Sequence, residues 1–156
     1  MVCGVTAHLR ASSAAEMPGC SSSTNRAAYC DPAGYLLTVR YDTGQLFRIT
    51  PAGRISEVAV GKRLVGGDGL ALTRDRKLVA ITNKLGAPGV EAATVLTSRD
   101  DFRSAQVRST EAWPVAGPTT AAMTPRGIYM LSGRIDVLIG GGQSDEFTIR
   151  RLSQAG

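Results

Sequence analysis

From about residue 27 onward, apolar and polar positions alternate in short runs, and each run ends at Gly, Pro or Asp. Tyr35 to Arg40 is rich in aromatic and β-branched residues and stops at the turn signal Asp42-Thr43-Gly44. Gln45 to Thr50 alternates, Pro51-Ala52-Gly53 turns the chain, and Arg54 to Val60 alternates again. A period of two bounded by turn residues predicts half-buried antiparallel strands. No segment in this region sustains the spacing of an amphipathic helix.

The arrangement recurs. Gly69–Leu72, Lys77–Thr82, Val90–Thr97 and Ala105–Ser109 make a second round, and Thr119–Met123, Gly127–Leu131 and Glu146–Leu152 a third. Superposing the second strand of each round, at 35–39, 77–81 and 128–132, gives offsets of 42 and 51 residues. A repeat of roughly 40–50 residues with four strands per unit marks β-propeller blades. The fold class expected is therefore all-β, a partial β-propeller of about three four-stranded antiparallel blades. The blades fall at 25–61, 66–110 and 117–153, and the last lacks its fourth strand. Propellers close with about four to eight blades, so the chain reads as the C-terminal half of a six-bladed ring. Ahead of the propeller part at 25–156, residues 1–24 are rich in Ala and Ser without either period and are expected to form a poorly ordered leader.

Composition narrows the partners. The chain has 156 residues, 43% of them hydrophobic, enough for one packed domain. Its 18 glycines and seven prolines favour turns over long helices. The net charge of +5 is scattered, and even the densest basic stretch, Arg74 to Lys77, is broken by Asp75. A solvated surface is expected, with no nucleic-acid partner. No apolar run is long enough to span a membrane or to form a signal peptide, so the expectation is a soluble chain whose compartment is not legible.

Cys3, Cys20 and Cys30 are odd in number and lack C-x-x-C spacing; with His8 they match no common zinc module and read as free thiols. Gly140-Gly141-Gly142 has no following Lys-Ser/Thr and reads as a hairpin loop rather than a phosphate cradle. Asp100-Asp101 reads as a hairpin tip, and Trp113 as a packing residue between the second and third blades. No nucleophile elbow, zincin or Walker motif occurs.

Certain phrases carry a family resemblance. Asn25-Arg26-Ala27-Ala28-Tyr29, followed by Asp31-Pro32-Ala33-Gly34-Tyr35-Leu36-Leu37, resembles the "NGIAY-PDGYLL" phrase of the senescence marker protein/gluconolactonase-like propellers. Gly66-Gly67-Asp68-Gly69-Leu70-Ala71-Leu72 resembles their "PDGLALD" phrase one blade on, and Gly117 to Ala122 the next. The resemblance covers about residues 25–152 and implies a six-bladed propeller with a divalent cation, Ca²⁺, Mg²⁺ or Mn²⁺, in its central channel. Carried over, the metal ligands are Asn25, Asp68 and Thr119, with Asp68 also the candidate catalytic base toward a lactone or ester. Oxygen ligands suit such cations. Two departures stand out: the family's Gly after the Asn is Arg26 here, and Thr119 brings a hydroxyl where the preceding blade has a carboxylate. Asp68 between two glycines also reads as plain turn chemistry.

Three functions follow as expectations. The chain is a fragment of a divalent-metal-dependent, lactonase-like hydrolase; or a non-catalytic propeller scaffold binding a small molecule or a protein; or a truncated chain without autonomous function. An incomplete ring leaves an open blade face at each end, so self-association is expected through those faces.

Overall fold

The computed structural model describes residues 34–153 and the backbone of residues 25–30. The expected leader, with Cys3, His8 and Cys20, lies outside the described residues. Three sheets carry all twelve strands of the described chain. The first is an antiparallel meander of β1 (Asn25–Cys30), β2 (Leu36–Arg40), β3 (Leu46–Ile49) and β4 (Ile55–Glu57). The second runs in the order β5-β9-β8-β7-β6, from β5 (Ala59–Val60), β6 (Gly67–Leu72), β7 (Leu78–Thr82), β8 (Ala92–Thr97) and β9 (Ser104–Ala112). The third joins β10 (Pro118–Thr124), β11 (Gly127–Ser132) and β12 (Thr148–Arg151), with the short helix α1 (Ile135–Ile139) between the last two strands.

Burial follows from the stacking. Leu37 and Val39 of the first sheet pack on Leu70, Leu72, Leu78 and Ala80 of the middle sheet, with Phe102 and Leu46 closing the same core. The other face of the middle sheet, through Ala71, Val79, Ile81, Ala93 and Val95, packs on Ile128, Met130 and Leu152. Trp113 seals this second core, its Nε1 donating to Ser132 Oγ at 3.1 Å, so it is a packing residue between the two sheets. The middle sheet is thus covered on both sides, which is why β7 and β8 are almost entirely buried and read as unbroken apolar runs. Strict alternation survives at the end of the stack, where β11 alternates between buried and half-buried positions.

The inner strands meet edge to edge: β6 touches β1 on one side and β10 on the other. Gly69 makes the second approach possible. A Cβ there would lie 2.6 Å from Thr119 O and 2.6 Å from Thr120 Cα, both main-chain atoms that cannot swing aside. Three sheets stacked face to face, with β1, β6 and β10 innermost, form a partial β-propeller.

Three details differ from the sequence reading. The run Arg54 to Val60 is two strands, because the chain leaves β3 at Val58 and pairs β5 in parallel with β9. Val58 is buried and donates its N–H to Leu46 O, whereas the next N–H, of Ala59, goes to Arg103 O. Residues 59–60, expected in the first blade, thus belong to the second sheet. The stretch before the glycine triplet forms α1, and Gly140 N–H closes its end on Asp136 O. Finally, Gly69↔Ile81 and Thr120↔Leu131 are the paired positions next to the bulges of β6 and β10, so β7 and β11 correspond at an offset of 50, one less than superposed by sequence.

Gly69→Ala should destabilise the chain by about 1–3 kcal/mol, since the new methyl forces two backbones apart. Gly61→Ala, where a Cβ meets nothing within 4 Å, should change the urea midpoint little. Equal midpoints for the two variants would show that the inner strands do not depend on this approach.

Candidate functional site

The innermost strand of each sheet, β1, β6 or β10, carries a bulge at the same place. Pairing shifts between Asn25 and Ala27, between Gly67 and Gly69, and between Pro118 and Thr120. The extra residues are Arg26, Asp68 and Thr119. Bulges re-aim side chains at strand ends and recur beside functional sites. The register therefore makes Thr119 the counterpart of Asp68, as the repeat implied, but gives that position in the first sheet to Arg26. Asn25 stands one residue earlier, level with Gly67 and Pro118.

Asp68 is half-buried, and its Oδ2 accepts a hydrogen bond from Asn83 Nδ2 at 2.9 Å. Asn83 follows β7 directly and is fully buried. Its second amide hydrogen goes to Pro118 O at 2.8 Å. Its Oδ1 accepts from Tyr41 Oη at 2.9 Å and from Leu85 N–H at 3.1 Å. All four hydrogen-bonding positions of the amide are filled, and the groups come from all three sheets. Only one orientation of the amide satisfies two donors and two acceptors at once. Nearby, Gly66 adopts φ +79 because Asn83 O lies 2.0 Å from where its Cβ would be, so a side chain has no room.

Thr119 is half-buried, and its hydroxyl leans on Leu131 O at 3.5 Å. Asp136, from α1, reaches the same end: its Oδ1 lies 3.7 Å from the Cβ position of Gly117. Arg134 pairs with it at 3.3 Å and with Glu146 at 3.1 Å. Neither Asn83 nor Asp136 figured among the sequence candidates. Asn83 is detectable only as a polar residue ending an apolar strand, and Asp136 sits in a stretch that reads as loop.

These residues do not make a metal centre unaided. Asp68 and Thr119 bring one carboxylate and one hydroxyl, and among the described residues no group of three His, Cys, Asp or Glu converges. Ca²⁺ takes about six to eight oxygens. Asp100 and Asp101 lie at the β8–β9 hairpin tip. Ser104 N–H and Oγ and Ser98 Oγ donate to Asp100, which holds its carboxyl down at about 2. Asp101 is exposed and pairs with Arg76.

Fold and site define a propeller-type all-β protein. No protein-family model matches the chain, and no curated protein matches it. Among solved structures the chain is similar to virginiamycin B lyase from Staphylococcus aureus, at 11% identity and a TM-score of 0.39, over 85% of this chain and 57% of that one. It is also similar to the major Malassezia sympodialis allergen Mala s 1, at 14% identity and a TM-score of 0.39, over 82% of this chain and 55% of the allergen. The chain thus spans little more than half the length of either protein.

Asn83→Ala should cost about 2–4 kcal/mol, because it strands several buried partners at once, while Tyr41→Phe, which removes the bond to Asn83 and leaves the amide's other partners in place, should cost about 1 kcal/mol. Urea denaturation of both checks the ratio; equal losses would contradict a shared hub. Asp100 gives a pH test. Its folded value is depressed, so its contribution is present above the ordinary 3.8 and is lost as pH falls toward about 2. The stability gap between the unmodified chain and Asp100→Asn should therefore shrink across that window and stay constant above it. A gap unchanged down to about pH 2 would contradict the assignment.

Proposed function

We propose that the chain is a binding scaffold of the propeller type, holding a small polar or cationic molecule at the bulged end of its inner strands. The observation that supports this most is the Asp68–Asn83 pair. Asn83 is locked by four hydrogen bonds, so the carboxylate it orients is preorganised rather than searching for its position. The amide donor fixes where that carboxylate stands. Thr119 adds a hydroxyl on the neighbouring strand.

The resemblance to gluconolactonase-like propellers suggests a second reading, a metal-dependent lactone or ester hydrolase with Asn25, Asp68 and Thr119 around Ca²⁺, Mg²⁺ or Mn²⁺. The bulge equivalence of Asp68 and Thr119 supports it. The sparse donor set and the place of Arg26 in the register weigh against it.

One experiment separates the two. Ligand-observed NMR with small amines and polyols should show binding that perturbs the amides of Asp68, Asn83 and Thr119 and disappears in Asp68→Ala. Binding that survives Asp68→Ala contradicts the scaffold reading. A Ca²⁺- or Mn²⁺-dependent rise in melting temperature lost in Asp68→Ala, together with lactone hydrolysis, replaces it with the hydrolase.

A further inference from the structure

The outer face of the third sheet forms an open, mostly apolar groove of about 620 Å³, lined among others by Thr120, Ala122, Tyr129, Leu131 and Ile149. Ile149 is 58% exposed. Among the described residues no strand or helix packs across this face.

The strand register says what such a face packs against. Thr120, Ala122, Tyr129 and Leu131 correspond to Gly69, Ala71, Val79 and Ile81 of the middle sheet. That middle face is covered by the third sheet. The same positions in the first sheet include Leu37 and Val39, and the middle sheet covers those. The chain therefore builds one kind of interface twice and presents half of it a third time.

In both existing interfaces the covering surface is the opposite face of a sheet. On the middle sheet it is Leu70, Leu72, Leu78 and Ala80; on the third it includes Ala121, Ile128 and Met130. The described residues present one more face of that class, on the outer side of the first sheet. Leu36, Thr38, Phe47, Ile49 and Ile55 share it, as the pairs Leu36↔Ile49, Thr38↔Phe47 and Ile49↔Ile55 require; Thr38 is buried at its centre and Leu36, Phe47 and Ile49 are half-buried. Ile55 is 42% exposed there. The two ends of the stack are thus unlike each other and complementary in kind.

We propose that the outer face of the third sheet docks on the outer face of the first sheet of a second copy, and that two copies close a six-sheet ring. Both contacts form together under a two-fold axis. Once the first contact is made, the second is intramolecular and gains from a high effective concentration, which favours the closed pair over an open filament. Six sheets fall inside the range of about four to eight that closes a propeller. This inference is independent of the ligand reading and fails separately from it.

Sedimentation velocity of the 156-residue chain tests it, over about 1–100 µM. The expected species has twice the 16.3 kDa chain mass. Leu131→Asp and Phe47→Asp should each weaken the dimer at least about tenfold, by placing a charge in an apolar contact. Mixing the two variants should restore part of it, because each retains the face the other has lost. Circular dichroism checks that the variants fold, and Ala122→Glu replaces Leu131→Asp if that chain does not. A monomer throughout the range, a dimer indifferent to Phe47→Asp, or an open polymer would each overturn the proposal.

Discussion

A single buried amide holds the three sheets in register. Asn83 spends its two donors on the middle and third sheets and its two acceptor positions on Tyr41 and the Leu85 N–H. An amide in an apolar interior is costly unless all of its positions are satisfied, so this network tolerates little sliding of one sheet past another. The equivalent position is Tyr41 in the first sheet and Gly133 in the third. Tyr41 is long enough to reach across to Asn83, and Gly133 has no side chain with which to reach onward. Apolar contacts can slip by a residue at modest cost, whereas four directed hydrogen bonds cannot. The two cores supply cohesion, and Asn83 supplies position.

The propeller class was legible because turn chemistry and period-two runs are local properties. Asp42-Thr43-Gly44 and Pro51-Ala52-Gly53 mark their turns whatever packs around them. Where packing decides, the reading failed. Arg54 to Val60 alternates without a break, and only the burial of Val58 and the nearness of β9 split it between two sheets. The offset between β7 and β11 slipped by one because the four residues Thr124 to Gly127 stand where the middle sheet has the five residues Thr73 to Lys77. The middle strands look like their neighbours in a local window, although both of their faces are covered.

The site was legible in part for the same reason. Repetition points to Asp68 and Thr119, which the bulges place at equivalent positions. The bulge also explains why Asn25 is offset. An extra residue in the strand shifts the count by one, so the phrase that carries the resemblance and the strand that carries the geometry disagree. Asn83 was illegible because nothing local distinguishes it. The segment Thr82-Asn83-Lys84-Leu85-Gly86 reads as a strand end and a turn. Its importance comes from partners 15, 35 and 42 residues away in sequence.

Chemistry at this end is limited by how its charges are held. Acid–base catalysis needs two titratable groups whose environments separate their proton affinities, or one such group beside an activated nucleophile. Asp68 is oriented by an amide, which has no proton affinity to contribute. Asp136 is paired with Arg134. Thr119 leans toward a main-chain carbonyl rather than toward a base. An oriented carboxylate beside a hydroxyl at rigid strand ends is what supports the binding reading proposed above.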